Sequence, residues 1–378
     1  MDNIIAQEKT VENQDELEVN NNQNEGSVYP MDGIKVDKGF YTIFELKHRY
    51  DAKDKRIILD SDFQRESVWK FDRKSELIES VLMGLPLPIF YFNQDRYGRL
   101  IVVDGRQRLT ALFEYMSDKY ALRNLKILPE FNDKKFSQLL PLYQTRIEDY
   151  QIQAHVILPP TPDRIKFDIF DRVNRGGMQL NKQEIRNALY QGNATKLLQK
   201  IASSEAFTKA TGGAFKKEMR MKDKYLITRF LTFVLFYSSK ITDVNGEKYQ
   251  YKGDIDEFLG RGMDVMNVLP DEDLEKLKAI TLKALNSAYY YLGKDGFRLV
   301  RDGKRSPINM NVFETIMFMM LWIKENNPEN KNRVKEIVLN FINGSEFREN
   351  IGNHRDSAAK LRWRLDEATR IGRILADL

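Results

Sequence analysis

The 378-residue sequence contains no cysteine and three histidines. Disulfides, thiolate metal sites and cysteine nucleophiles are thereby excluded, and any chemistry falls to carboxylates, amides and cationic side chains. His48, His155 and His354 stand more than a hundred residues apart. None sits in an H-E-x-x-H or H-x-N-x-H pattern, so each reads as an isolated surface or core histidine. Long apolar runs are scarce as well. The two longest windows, Tyr225 to Tyr237 and Val312 to Ile323, are interrupted by Thr228, Arg229 and Thr232 and by Glu314 and Thr315. Both fall short of the roughly 20 residues that a bilayer span needs, and they are expected as buried core helices. No basic segment followed by an apolar one opens the chain, so no secretory signal and a cytoplasmic location are expected.

The composition is that of a globular chain, 42% hydrophobic and 30% charged, with room for two domains. The overall charge of +5 is unevenly spread. Seven acids against Lys9 give residues 1–30 a balance of −6, which leaves +11 on the remainder. A basic body of this kind is compatible with a polyanionic partner and is also common on proteins that bind none. Residues 1–35, with NNNQN at 20–24, read as a disordered acidic tail.

Beyond the tail, Thr42 is expected to cap a short helix through Leu46 to Tyr50, and Arg56 to Leu59 to begin an extended segment. Trp69 reads as a core anchor. Asp72 is expected to cap a helix whose Leu77, Ile78, Val81 and Leu82 share one face, closed by Gly84 and the prolines at 86 and 88. Pro88 to Phe92 and Arg99 to Val103 read as a hairpin at a sheet edge, and Gln151 to Leu158 as a further strand. Residues 120–137 show no clear period. Asp163 to Val173 reads as a helix leading into Asn174-Arg175-Gly176-Gly177, a loop that either closes over a ligand or simply turns a helical corner. Asn181 then caps another helix, with Glu184 in capping-box position.

After Gly192 the pattern is helical, with helices expected at 194–206, 223–239, 254–267, 271–292, 311–326, 329–343 and 357–376. The fold class is α+β: a domain with a small sheet over 36–192, then an all-α domain over 193–378. Two basic stretches, one with Lys216 and Lys217 and one with Arg362 and Arg364, are either solvated faces or contacts to DNA phosphates.

The segment LIVVDGRQRLTALFEYM, Leu100 to Met116, carries the most information. Four apolar residues give a buried strand, Asp104-Gly105 a turn, and Leu109, Leu112, Phe113 and Met116 a helical face. Arg106 and Arg108 fall in the first helical turn, where the helix dipole makes a cation unfavourable by about 0.3 to 1 kcal/mol. A bound phosphate would reverse that sign, through backbone N–H groups and paired guanidinium forks. Asp104 either caps the helix or holds a hydrated Mg2+ beside the phosphate. The bland alternative is an Asp cap with both arginines pointing to solvent or to nearby carboxylates.

Asp104-Gly105-Arg106-Gln107-Arg108-Leu109-Thr110 resembles the DGQQR signature of the ParB/sulfiredoxin-like N-terminal domain of GmrSD-type restriction enzymes. FQRESVWK at 63–70 with KSELIESVLMGLPLPIFYF at 74–92, and FDRVNRGGMQLNKQEIRNAL at 170–189, are similar to two further blocks of that family in the same order. The resemblance implies a nucleotide-dependent phage-defence module in which NTP binding and hydrolysis gate DNA cleavage. It implies catalytic roles for Asp104, Gln107 and Arg108, with Asp104 as the Mg2+-binding or water-positioning carboxylate, Arg108 as a phosphate contact and Gln107 as a polar contact to phosphate or water. Nucleotide contacts are expected from Gln64, Arg65, Gly105, Arg106, Thr110, Asn174 and Arg186. Arg106 stands where the signature has its first glutamine, which favours nucleotide binding over turnover if that glutamine positions water. No His-based nuclease motif is found in the sequence, so a separate nuclease subunit is an expected partner. The alternatives are a metal-dependent DNA endonuclease in its own right and a non-catalytic DNA-binding or scaffold protein.

Overall fold

Ile152, Ala154 and Val156 alternate with polar neighbours and produce a strand with one buried side, about which a small sheet is laid down. The computed structural model describes residues 33–59, 69–95, 97–173, 181–216, 220–243, 246–301, 304–352 and 354–378. They fall into two units, Val28–Leu189 and Tyr190–Leu378.

In the first unit β1 (Val36–Thr42), β2 (Ile57–Ile58), β3 (Phe90–Gln94), β4 (Leu100–Asp104) and β5 (Gln151–Ile157) form one mixed sheet in the order β1-β5-β3-β4-β2. β1 runs antiparallel to β5, β5 parallel to β3, β3 antiparallel to β4, and β4 parallel to β2. The expected hairpin is therefore β3 and β4. It lies inside the sheet instead of at its edge, because β5 pairs with β3 and the short β2 covers the start of β4 at Leu100 and Ile101.

One face of the sheet packs on α1 (Ile43–Asp51), α2 (Phe71–Met83), α3 (Arg106–Met116) and α4 (Pro141–Glu148), burying Phe90, Phe92, Val102, Ala154 and Val156 with Leu46, Ile78, Leu112 and Ile147. Thr42 caps α1 as expected, its hydroxyl accepting from Glu45 N at 3.0 Å. Asp72 does not cap α2. The cap residue is Lys70, and the Asp72 carboxylate instead accepts from Asn124 Nδ2 at 2.9 Å. Gly84 ends α2 in the left-handed conformation, as the Gly-then-Pro order suggests. α5 (Asp163–Val173) and α6 (Lys182–Leu189) complete the unit, and α6 packs against β4. Asn181 and Glu184 form the reciprocal capping box, with Asn181 Oδ1 accepting from Glu184 N at 2.9 Å and Glu184 Oε2 from Asn181 N at 2.6 Å.

β1 has no counterpart in the sequence reading, where residues up to 35 are tail and the next element begins near Thr42. Its sequence VDKGFYT carries two charges and a glycine, and its burial is weak because it is the outer strand of the sheet.

The second unit is helical, with α7 (Asn193–Ala202), α8 (Glu205–Ala210), α9 (Lys222–Tyr237), α10 (Ile255–Val268), α11 (Asp271–Leu292), α12 (Met310–Met320), α13 (Lys331–Asn343), α14 (Ser345–Asn350) and α15 (Ala358–Ala376). The single helix expected over 194–206 is two, because Ser204 starts a new one by accepting from Phe207 N. One short hairpin, β6 (Arg298–Arg301) with β7 (Lys304–Ile308), interrupts the helices. Both apolar windows fall on largely buried helices: every residue of α12 is buried, though the helix ends at Met320, short of Ile323, and α9 ends on an exposed Tyr237. No helix among the described residues is long and apolar enough to cross a membrane.

Candidate functional site

Four buried residues, Leu100 to Val103, carry β4 into the sheet and bring Asp104 to its end. A β-bulge between Tyr91 and Phe92 of β3 and the facing residues of β4 shifts the register, so that Asp104 lies opposite Tyr91 while Val102 lies opposite Phe92. Gly105 follows with φ +94° and ψ 5° and serves as the α3 cap residue with no side-chain cap. It is buried against Phe90, so closely that a Cβ there would lie 2.1 Å from Phe90 Cδ1. Only glycine meets both conditions.

The Asp104 carboxylate is turned away from the helix end. Its Oδ2 accepts from Arg108 Nη2 at 2.9 Å, one helical turn on, so the cap alternative for Asp104 is removed. The Arg108 guanidinium is also bonded to Pro88 O through Nη1 and to Ile89 O at 3.4 Å through Nη2, and its centre lies 4.1 Å from the Phe90 ring centroid. Burial lowers its pKa, and Asp104 opposes that shift. The group stays charged at neutral pH, since arginine titrates far above it.

Of the readings open for Arg108, these contacts match the one in which it turns to a nearby carboxylate. It braces the β3 entry, the turn and Asp104 from inside, with two carbonyls and a carboxylate accepting from it. The side chain of Asp104, in contrast, is 40% exposed. No acid occupies the first turn of α3. The helix thus starts with Arg106 in its first turn and with the Asp104 carboxylate held by Arg108.

The remaining expected residues divide. Gln107 Oε1 accepts from Trp69 N at 3.3 Å, tying α3 to the chain that enters α2. Arg106 and Thr110 are half-buried on the first turns of α3. Arg186 is fully buried on α6, donating through Nη1 to Gln183 Oε1 at 2.7 Å and lying over Phe167. Its burial makes it part of the support behind β4. Gln64, Arg65, Asn174 and Lys217 lie outside the described residues.

In the helical unit Lys216 and Arg362 are exposed. Arg364 is not: it donates to Glu314 Oε1 at 2.9 Å and to Asn350 O and Arg355 O at 3.0 and 2.6 Å. Its assignment to DNA contact is therefore corrected. On α15 the position next to the Leu361 and Leu365 stripe turns inward here because Glu314, on α12, offers a buried carboxylate to bind.

Tyr91, which the sequence reading leaves out, lies beside Asp104, and His155, read there as an isolated surface or core histidine, lies one strand further on. Strand pairing sets Tyr91 opposite Asp104, His155 opposite Tyr91, and Lys38 opposite His155, in one row across β4, β3, β5 and β1. The rings of Tyr91 and His155 meet edge to face, with centroids 5.3 Å apart. In the sequence the only trace is a polar aromatic between two core residues, Tyr91 between Phe90 and Phe92 and His155 between Ala154 and Val156.

As a metal site the arrangement supplies little by itself. Among the described residues no three carboxylates or imidazoles gather in one place. Asp104 offers a single carboxylate with one oxygen already on a cation. That donor set suits an Mg2+ that brings its other ligands with it, as phosphate oxygens and water, and does not suit a dedicated protein cage.

In comparison with known protein families, residues 46–191 fit the family described as GmrSD restriction endonuclease, N-terminal domain. No curated protein and no solved structure matches the chain.

Proposed function

We propose that this chain, which carries a GmrSD-type N-terminal domain over residues 46–191, binds a nucleoside triphosphate at the start of α3 and uses it to license DNA restriction. The observation that carries the reading is the turn itself. A buried left-handed glycine starts a helix that has no side-chain cap and no acid in its first turn, while the neighbouring carboxylate is held to one side by Arg108. Backbone N–H groups at such a helix end, together with the partial positive charge of the helix, favour a phosphate.

Asp104 and Arg106 flank that position, one on each side of Gly105. An Mg2+ arriving with the nucleotide would find the Asp104 carboxylate, and when bound it would neutralise phosphate charge. Arg108 keeps Asp104 in place, and Gln107 fastens the helix to the segment before α2. On the helical unit, Lys216 and Arg362 supply surface charge for a DNA backbone.

The test is a titration of ATP, GTP, CTP and UTP, each with Mg2+, followed by isothermal calorimetry, with hydrolysis measured in parallel. At least one nucleotide is expected to bind, and Arg106→Ala is expected to weaken it by about tenfold, the scale of one charge-assisted contact. Arg106→Gln, which restores the glutamine of the family signature, is expected to weaken binding similarly while raising turnover per bound nucleotide. Absence of binding by all four nucleotides would remove the proposal.

A further inference from the structure

We propose that Tyr91 and His155 form a platform for the nucleobase, so that the ligand lies across the sheet from the start of α3 towards β1. The inference rests on the phosphate reading above and extends it to the other end of the ligand. It begins from the cross-strand row Asp104, Tyr91, His155 and Lys38, in which each residue faces the next in register. Neighbouring strands lie about 4.8 Å apart, so His155 is roughly 10 Å from Asp104, a separation that a nucleoside triphosphate can bridge.

The character of the row fits a planar, polar guest. On the same strands Phe90, Phe92, Ala154 and Val156 are buried in the core, whereas Tyr91 and His155 are only half-buried and Lys38 is exposed. Two residues along β1 from Lys38, and so on the same face, Phe40 pairs with Gln153 and is 65% exposed, which adds a further ring beside the row. Aromatic and imidazole faces on a sheet surface stack nucleobases without regard to sequence, and polar edges beside them supply hydrogen bonds. The order along the row matches the ligand: a carboxylate and a helix start for the charged end, then two rings for the base.

Calorimetry with three probes separates this inference from the one beneath it: the nucleotide that binds best, inorganic tripolyphosphate, and a single-stranded oligonucleotide. Tyr91→Ala and His155→Ala are each expected to weaken the nucleotide about tenfold and to leave tripolyphosphate unchanged, while Tyr91→Phe and His155→Phe retain most of the nucleotide affinity. Unchanged nucleotide affinity in both alanine variants overturns the platform, and so does an equal loss for nucleotide and tripolyphosphate. If tripolyphosphate fails to bind the unsubstituted protein while the nucleotide binds through Tyr91 and His155, the phosphate reading falls and the platform stands. Binding of the oligonucleotide through these rings, without competition from the mononucleotide, overturns the assignment of the platform to a free nucleotide. Failure of all three probes removes both.

Discussion

Glu314→Ala is expected to destabilise the helical unit by about 3 to 5 kcal/mol, the usual cost of removing one partner from a buried ionic cluster. Glu314 on α12 binds two arginines at once: Oε2 accepts from Arg229 Nε at 2.6 Å and Oε1 from Arg364 Nη2 at 2.9 Å. Arg229 on α9 also donates to Asp356 Oδ1 at 2.8 Å and to Tyr225 OH at 3.2 Å. Arg229, Arg364 and Glu314 are almost fully buried. Alanine would leave two guanidinium groups facing a cavity with a single carboxylate, Asp356, between them. For a unit of this size the melting temperature should fall by roughly 6 to 20 °C, read by circular dichroism. A shift of less than about 2 °C would show that the cluster is not a structural joint.

The same cluster sets an acid limit. Burial, the largest single influence, would raise the Asp356 pKa, but Arg229, bonded to it, together with the nearby Arg364 and Arg355 holds it below the ordinary carboxylate value. A carboxylate with a depressed folded pKa contributes stability that is complete above its unfolded value of about 3.9 and is lost as pH falls below that. Acid unfolding of the helical unit should therefore begin below about pH 4 and lose part of its pH dependence in Asp356→Asn.

Gly105→Ala is the second large effect. Its φ of +94° lies in the left-handed region, where a Cβ costs about 1 to 2 kcal/mol. The new methyl would also meet Phe90 at 2.1 Å from Cδ1 and 2.6 Å from Cε1. Phe90 cannot easily withdraw: it is fully buried, and the Arg108 guanidinium lies over its ring. Overpacking of this kind adds about 1 to 3 kcal/mol. The expected total is about 2 to 5 kcal/mol, with loss of nucleotide binding because the start of α3 moves relative to Asp104.

Gly98→Ala provides the comparison. Gly98 also has positive φ, +77°, but the nearest atom to a Cβ there is Gln94 Nε2 at 3.9 Å. It should show the conformational cost alone, about 1 to 2 kcal/mol. Equal losses in the two variants would mean that the contact with Phe90 carries no weight.

Much of the first unit was legible because its signals are short-range. The Thr42 cap, the Gly84 stop, the Asn181–Glu184 box and the β3–β4 hairpin each depend on residues within a few positions of one another. β1 was not legible, since an outer strand has little to bury and its charges hide the alternation. The 298–308 hairpin was missed for a related reason: its charged residues fall among strong helical patterns. Asp72 misled because an acid before an apolar face is a common cap, and here Asn124, brought up by the chain after α3, claims it instead.

The candidate site was half legible. The strand, the turn at Asp104-Gly105 and the helix were written in one continuous segment, since backbone conformation there follows from local residue type. What each charged side chain does was not. Arg364 read as a solvated cation or a DNA contact, and Arg108 as a phosphate contact or as a cation turned to solvent or a nearby carboxylate; each is drawn inward by a carboxylate, Glu314 and Asp104 respectively, with backbone carbonyls closing around it. The row of Tyr91 and His155 beside Asp104 was decided by strand register alone, and a single bulged residue sets that register. Local conformation is encoded by neighbours in sequence, whereas the partners of a side chain are chosen by how strands and helices from distant segments come to face one another.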